Sequence, residues 1–219
     1  MSDVHGDFDI YRWMQFLVST DPDPVDAVVL AGDLLHGADD HLSIEEAQRR
    51  EADQLISILC ELGLPVLYVM GNDDMIELDY EDDLVRSIHQ RSVTLGGYEF
   101  LGYQFSPPFM GGIHEKPEDE IRDDLIALEP RMHDRTVFVT HTPARGFRDT
   151  TAMGTDVGSP SVLDTIRRKK VRAHIHGHIH NSFGREDIHF NVASGRAFRA
   201  MRIDIEAMEH VVLTRKPSS

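Results

Sequence analysis

Short polar segments follow apolar, strand-like runs four times along this 219-residue chain. The runs cover residues 26–31, 65–70, 136–140 and 172–176, and each leads at once into a segment that holds Asp, Asn or His. Because loops at the carboxyl ends of neighbouring strands converge at one edge of a sheet, these polar segments are expected to meet there. The pattern predicts an α/β fold with a polar site at a sheet edge.

Hydrophobic periodicity predicts the other elements. Helices are expected over residues 8–18, 43–62, 81–90, 117–128 and 160–170, and further strands over residues 92–95, 98–103, 188–193, 198–205 and 209–214. Strands and helices alternate in the first part of the chain, whereas the last part is almost all strand. That order suits helices packed outside a mixed sheet or a pair of sheets. Neither an internal repeat nor a low-complexity linker interrupts the sequence, so a single domain over residues 1–219 is predicted.

Charge and composition restrict the partners. The chain has 38 acidic and 22 basic residues and a formal net charge of −16. A surface this negative repels long nucleic acids, so nucleic-acid binding is not expected, whereas a small phosphorylated substrate can still be drawn to bound cations. The sequence has no apolar run of 18 residues and no secretory signal, so we expect no membrane span and a cytoplasmic location. The lone cysteine, Cys60, is predicted to be a buried structural residue on a helix face.

Five short segments carry the residue types of a metal site. The candidates are Asp3 and His5, then Asp33, Asn72 and His141, and finally His178 and His180. Together they give a mixed oxygen and nitrogen shell without thiolate, which suits Mn, Fe, Zn or Ni. Glycine precedes three of the segments, at positions 32, 71 and 177, and is expected to let the backbone turn sharply there. Each motif alone is common, but five in order, four of them at strand ends, form a specific signal.

The run from His174 to His180 offers four histidines at alternate positions. Alternation alone places all four on one side of a strand. Gly177 marks the end of the strand and favours His178 and His180 for a site built from loops. The earlier pair, His174 and His176, is expected to point off the sheet or to lie behind the ligands.

The ordered set Asp-x-His, Gly-Asp, Gly-Asn-x-Asp, His-x-Pro and Gly-His-x-His, from Asp3 to His180, resembles the calcineurin-like metallophosphoesterases. The resemblance implies an α/β fold in which a two-sheet β-sandwich is flanked by helices. It also implies two divalent metal ions, the first bound by Asp3, His5, Asp33 and His180 and the second by Asp33, Asn72, His141 and His178. The implied activity is hydrolysis of a phosphomonoester or phosphodiester of a small molecule by a hydroxide that bridges the two ions, with His141 helping to stabilise the phosphoryl charge.

One position departs from the family's pattern. Where the family often has His after the Gly-Asn, as an aid to the leaving group, this chain has Asp73. An aspartate can protonate a leaving oxygen only if its pKa is raised, and nearby cations lower it. Asp73 is therefore either a catalytic residue of altered role or a residue that orients water, the loop or a ligand.

Several alternatives remain open at this point. A protein phosphatase, a nuclease or a non-catalytic protein-binding scaffold shares the motifs, although the negative charge counts against a nuclease and the complete ligand set against a scaffold. The start Met1-Ser2-Asp3 leaves no room for a strand before Asp3, so either the fold does without a first strand or this start is truncated.

Other residues near the motifs are expected to play lesser parts. Asp7 and Asp74 are expected to stabilise turns rather than to bind metal. His36 is as well placed to reach the cleft as to be exposed to solvent. Arg145 could contact a phosphate group, although a surface position is the better interpretation. The Pro- and Gly-rich stretch 105–117 fits both a loop that gates substrate access and an inert surface loop.

Overall fold

The computed structural model describes residues 1–78, 80, 82–195 and 197–215, and its strands form three sheets. A parallel sheet of order β1-β2-β3 contains β1 (Val28–Ala31), β2 (Val66–Val69) and β3 (Val85–Ser87). A mixed six-stranded sheet of order β4-β5-β6-β7-β9-β8 contains β4 (Ser92–Leu95), β5 (Tyr98–Tyr103), β6 (Thr136–Thr140), β7 (Ala173–His176), β8 (Gly184–Glu186) and β9 (His189–Asn191). Strands β10 (Arg199–Asp204) and β11 (Glu209–Thr214) pair with each other in antiparallel register.

Four of the five predicted helices are confirmed, as α1 (Phe8–Thr20), α2 (Ile44–Cys60), α3 (Glu118–Leu128) and α4 (Pro160–Lys169). Local chemistry explains where they begin. The Asp7 carboxylate accepts backbone N–H groups at the start of α1, Ser43 and Glu46 form a reciprocal capping box at α2, and Ser159 caps α4.

The predicted helix over residues 81–90 is wrong. Glu81 lies outside the described residues, and the described part contains strand β3, whose Val85 is buried and pairs with Val66 of β2. The Asp82 carboxylate accepts hydrogen bonds from the backbone of Leu84 (2.7 Å) and Val85 (2.6 Å), which turns the chain into the strand. Pairing with a buried neighbour outweighs weak helical periodicity over ten residues.

Three apolar clusters separate four layers of structure. Alternation along each strand sends successive side chains to opposite faces. Tyr68 of β2 packs in the cluster with α1 and α2, while Leu67 faces the second sheet. In β6, Val139 faces the first sheet, while Phe138 packs in the cluster with α3 and α4. The order is therefore helices, sheet, sheet, helices, and the predicted two-sheet sandwich flanked by helices is confirmed.

The first residues join the two sheets. The backbone carbonyl of Met1 accepts a hydrogen bond from Ala31 N (2.9 Å), and Ser2 N donates to Val192 O (3.0 Å). Next along the chain, Asp3 N donates to the carbonyl of Gly32 (2.9 Å). These bonds hold Asp3 beside the carboxyl end of β1, where the first polar segment after a strand begins.

Two further observations concern the rest of the chain. None of the described helices is long and apolar enough to cross a membrane.

Cys60 is not fully buried as predicted, because it is the last residue of α2, where the helix leaves the core. Its Sγ lies 3.3 Å from the hydroxyl of Tyr80.

Candidate metal centre

The seven side chains predicted to bind metal lie together at the carboxyl ends of β1, β2, β6 and β7. In one group, His180 Nε2 is 3.1 Å from Asp3 Oδ1 and 3.1 Å from His5 Nε2. The candidate ligand atoms of these three residues all lie within 4.8 Å of one another. That spacing allows a single cation to be held by two imidazoles and a carboxylate.

A second group adjoins the first. His141 Nε2 is 3.0 Å from Asn72 Oδ1, 3.2 Å from His178 Nδ1 and 3.3 Å from Asp33 Oδ2. Asp33 Oδ2 is also 3.9 Å from His5 Nε2, so this carboxylate faces both groups. An imidazole nitrogen carries at most one proton and cannot donate to three acceptors at once. A shared cation would satisfy all of these lone pairs, so the donor set fits divalent metal ions.

The backbone orients these side chains. His141 Nδ1 lies 2.9 Å from the carbonyl oxygen of Ala31, which fixes the proton there and turns Nε2 toward the centre. Each carboxylate uses one oxygen on the backbone and keeps the other free for the centre. Asp3 Oδ2 accepts from His178 N (2.9 Å), and Asp33 Oδ1 accepts from Asp73 N (2.9 Å).

The sharp turns fall on the candidate ligands themselves. Asp3, His5, Asp33 and His178 have positive φ values of 55°, 48°, 52° and 69°. Such left-handed conformations are unfavourable for residues with a side chain, although Asp and His tolerate them better than most. Strain of this kind concentrates at sites where the surrounding structure enforces it.

The three glycines beside these ligands differ. Gly32 has a positive φ of 90°, as expected for a residue that lets the backbone turn, whereas Gly71 and Gly177 do not have a positive φ and are required by space. A Cβ on Gly71 would lie 2.2 Å from Asp33 Oδ1. A Cβ on Gly177 would lie 2.3 Å from Asp3 Oδ2 and 2.1 Å from Ser2 Oγ. Both glycines therefore let a carboxylate approach the backbone of the next polar segment.

The protonation of the protein groups at the centre follows from burial and from the two carboxylates. Burial alone would lower the pKa of His141, but the charge and hydrogen bonding of Asp33 outweigh burial and raise the pKa to about 10. Burial and the neighbouring His141 lower the pKa of His178 to about 4. Burial would raise the pKa of Asp33, yet the surrounding imidazoles, His141 first, hold it below its usual range. Among the protein groups alone, His141 and Asp33 form an ion pair beside a neutral His178.

Asp73 lies at the rim of the centre. Its Oδ2 is 3.4 Å from His5 Nδ1, and its Oδ1 accepts from Asn72 Nδ2 (2.8 Å). Partial burial and the Asp33 carboxylate raise the pKa of Asp73. Cations in the centre would act in the opposite direction. The position suits a residue that holds the His5 ring or exchanges a proton at the pocket.

Asp74 is buried directly behind the centre. Its carboxylate accepts hydrogen bonds from the backbone N–H groups of Leu34, Leu35 and Gly71, at 2.9, 2.9 and 2.8 Å. These bonds tie the loop after β1 to the loop after β2. The prediction that Asp74 stabilises local turns is confirmed.

Other candidates lie away from the centre. His36 and Arg145 are exposed, and neither lines the pocket described below.

His174 and His176 do not point to solvent but are buried on the same face of the large sheet as Phe138. His174 Nε2 is 2.8 Å from Thr140 Oγ1, so this histidine is satisfied within the layer between sheet and helices. Neither belongs to a candidate metal group among the described residues.

A pocket of about 320 Å³ opens over the centre. It is lined by His5, Asp33, Asn72, Asp73, Phe109, Met110, Thr151, Val157, His178, Ile179, His180 and Asn181. The sequence left the stretch 105–117, which supplies Phe109 and Met110, open between a loop that gates substrate access and an inert surface loop. Sequence reasoning missed Thr151 and Val157, because their loop has neither strand nor helix periodicity. The Phe-Met pair inside the Pro- and Gly-rich stretch was the available signal for the first loop.

Comparison with known proteins agrees with this geometry. The sequence model of the calcineurin-like phosphoesterases matches residues 1–182. The chain belongs to this family. Calcineurin-like phosphoesterases are typically hydrolytic and generally bind divalent metal ions. The chain's candidate Asp and His groups are therefore where the family's metal chemistry is expected.

Individual relatives are distant. A 99-residue stretch of this calcineurin-like phosphoesterase is 29% identical to Metallophosphoesterase domain-containing protein 1 of Homo sapiens and of Mus musculus. The stretch is 44% of this chain but only 30% of each relative's length. One crystal structure superimposes with a TM-score of 0.79 at 17% identity, covering 98% of this chain and 96% of the other. The structure of TT1561 from Thermus thermophilus gives 0.74 at 17% identity, with the same coverage. At such identities the two structures show the shared fold alone.

Proposed function

We propose that this protein uses two divalent metal ions to hydrolyse a phosphomonoester or phosphodiester of a small molecule. The observation that carries the proposal is the pair of adjoining ligand groups, which meet at the Asp33 carboxylate. Asp3, His5 and His180 would hold one ion, Asn72, His141 and His178 would hold the other, and Asp33 would contribute to both. When bound, two such ions lower the pKa of water and neutralise charge on a phosphoryl group.

The chain's own residues would hold the ions and exclude water from one side of them. Asp3, Asp33, Asn72 and His141 are buried, so the ions would sit on a floor closed to bulk water. His5 and His180 are more exposed and line the pocket, so a phosphoryl group would approach from their side. Exclusion of water on one side strengthens every charge interaction at the reacting group.

Two residues have proposed roles in the reaction itself. His141, fixed by the Ala31 carbonyl, would help to stabilise negative charge beside Asn72 and Asp33. Asp73 is the proposed partner of His5 and the nearest carboxylate at the rim that is free to exchange a proton. Its partial burial favours the protonated form, and nearby cations favour the ionised form. The dependence of the hydrolysis rate on the leaving group therefore distinguishes a positioning role of Asp73 from a role as a general acid.

A metal-dependent assay tests the proposal. A nitrophenyl monoester and a bis-nitrophenyl diester are offered to the protein with Mn²⁺, with chelator, and with Mn²⁺ restored, while elemental analysis counts and identifies the bound ions. We expect turnover that is lost with chelator and returns with Mn²⁺. Mn, Fe, Zn and Ni are all compatible with the donor set, and the analysis names the native ions.

A matched pair of variants adds a control. Asp33→Asn removes the shared charge and should abolish turnover together with ion binding. Asp53→Asn makes the same change on the exposed face of α2 and should leave both unchanged. If neither ester is hydrolysed while two ions are bound, the enzyme proposal is wrong and a binding scaffold of the same fold is favoured.

A further inference from the structure

The pocket has a preformed apolar wall next to the candidate metal centre. Phe109 and Met110 line the pocket although the two residues are 69% and 66% exposed. Large apolar side chains exposed beside a polar site commonly mark a place where a ligand packs. Val157 and Ile179 line the same pocket and extend its apolar surface.

The wall directly touches a candidate ligand. The Phe109 ring packs edge-to-face with the His178 ring, with centroids 5.7 Å apart and an interplanar angle of 84°. His178 Nδ1 in turn is 3.2 Å from His141 Nε2. A group bonded to a phosphoryl oxygen at the centre therefore lies within reach of Phe109.

The loop that carries the wall is held in place from within. The Glu115 carboxylate accepts backbone hydrogen bonds from Phe109 (2.8 Å), Met110 (2.7 Å) and Gly111 (2.8 Å). At the base of the loop, Lys116 N donates to Ser106 O (2.9 Å). Three N–H groups on one carboxylate fix the backbone of the tip, so little conformational entropy remains to be lost on binding.

The loop that contains Phe109 and Met110 also contacts the loop that contains Asn72. A Cβ on Gly112 would come within 2.6 Å of the Asn72 carbonyl oxygen, so the two backbones are in contact at this point. Asn72 belongs to the second candidate ligand group. The position of Phe109 and Met110 therefore depends on the position of the loop that contains Asn72.

From these contacts we propose that Phe109 and Met110 form a subsite for an aromatic group esterified to the phosphoryl group. This inference rests on the proposed function and narrows its substrate class to aryl-bearing or base-bearing phosphoesters. An aromatic ring gains more here than an aliphatic group of equal area. Phe contributes edge-to-face or offset stacking, and the Met thioether makes favourable contacts with ring edges.

The pocket volume is consistent with such a substrate. About 320 Å³ corresponds to roughly ten water molecules. A phosphoryl group and one ring occupy a space of that order.

Binding of inert phosphonates tests the subsite without relying on turnover. Phenylphosphonate and methylphosphonate, whose carbon–phosphorus bonds resist hydrolysis, are titrated into Mn²⁺-loaded protein by calorimetry. We expect phenylphosphonate to bind roughly three- to tenfold more tightly, and Phe109→Ala to reduce this preference to about twofold or less. Phe16→Ala is the matched control, because Phe16 is 60% exposed on α1 and does not line the pocket. It should keep the full preference.

Hydrolysis separates failure of the subsite from failure of the proposed function. Hydrolysis of one nitrophenyl ester, inhibited either by phenylphosphonate or by methylphosphonate, compares the two groups against a common substrate. Phe109→Ala should raise the inhibition constant of phenylphosphonate more than that of methylphosphonate. An equal effect on both inhibition constants, or no phenylphosphonate preference in the parent protein, overturns the subsite. Absence of all turnover with ions bound overturns the proposed function, while the phosphonate titration still judges the subsite.

Discussion

Gly177 gives a direct way to perturb one ligand group without replacing a ligand. Its φ lies outside the left-handed region, so alanine is compatible with the backbone there. The added Cβ would nevertheless lie 2.3 Å from Asp3 Oδ2 and 2.1 Å from Ser2 Oγ, whereas ordinary contacts are 3.4–4 Å. Gly177→Ala therefore forces the Asp3 carboxylate to retreat by about 1 Å.

The expected consequences have different sizes for folding and for the metal centre. Overpacking of this kind destabilises a protein by about 1–3 kcal/mol. Because a metal site tolerates displacements of only about 0.5 Å, a retreat of Asp3 should weaken binding of the ion proposed to lie between Asp3, His5 and His180 by at least roughly tenfold. The ion held by Asn72, His141 and His178 should be affected less. Equilibrium dialysis with elemental analysis should show a drop toward one tightly bound ion per chain.

Two control variants test whether the clash with Asp3 causes the loss of ion affinity. Gly63→Ala has no neighbour within 4 Å of the new Cβ, so it changes stability through its backbone conformation alone and should keep both ions. The double variant Ser2→Ala/Gly177→Ala removes the clashing hydroxyl but leaves the clash with Asp3 and a 2.7 Å approach to the Cβ of residue 2. It should recover some stability and none of the lost ion affinity. Parent-like binding of both ions by Gly177→Ala would refute the reasoning, as would rescue of the ion by Ser2→Ala.

Four further outcomes are expected. His141, with its pKa raised to about 10, carries a proton in the metal-free protein at neutral pH, so ion binding should release that proton and apparent affinity should rise with pH between pH 7 and 9. A binding heat that does not vary with the ionisation enthalpy of the buffer would contradict this. The same proton stabilises the metal-free fold, fully so below the unfolded-state pKa near 6.5, and its contribution should fade in denaturant titrations as the pH rises toward 10. Asp73→Ala should slow hydrolysis of esters with poor leaving groups more than that of nitrophenyl esters, and equal losses on both would count against an acid role. Arg199→Lys, which breaks the fork of hydrogen bonds to the carbonyls of His180 (2.5 Å) and Ala193 (2.9 Å), should lower ion affinity severalfold in the same dialysis assay, whereas unchanged affinity would show that the fork does not position His180.

The candidate ligands could be predicted from the sequence because their placement depends on few variables. Asp33 and Asn72 follow buried strands of the first sheet, and His141 and His178 follow buried strands of the second. Within each sheet, parallel strands bring their carboxyl ends to one edge. The two-sheet sandwich was predicted from the family resemblance, because the order of strands and helices alone left open one mixed sheet or a pair of sheets. That residues 1–219 form one domain stays a prediction.

Features that depend on partners far apart in the sequence were not predictable. Strand β3 exists because Val85 pairs with Val66, and β8 is a three-residue edge strand that is too short to show a period. The apolar wall depends on Glu115 folding back onto the Phe109 backbone, which no local propensity records. The burial of His174 and His176 depends on which face of β7 the helices cover, and alternation alone does not choose a face.

The left-handed backbone at Asp3, His5, Asp33 and His178 has a consequence for protein engineering. Each such residue costs about 1–2 kcal/mol, so four together are comparable with much of the 5–15 kcal/mol that keeps an ordinary domain folded. Grafting the seven side chains onto another scaffold would transfer the ligands but not the forces that impose these dihedral angles. The recipient loops would relax to ordinary conformations and splay the ligands apart. A transplant that works must carry the interlocking loops and their glycines with it.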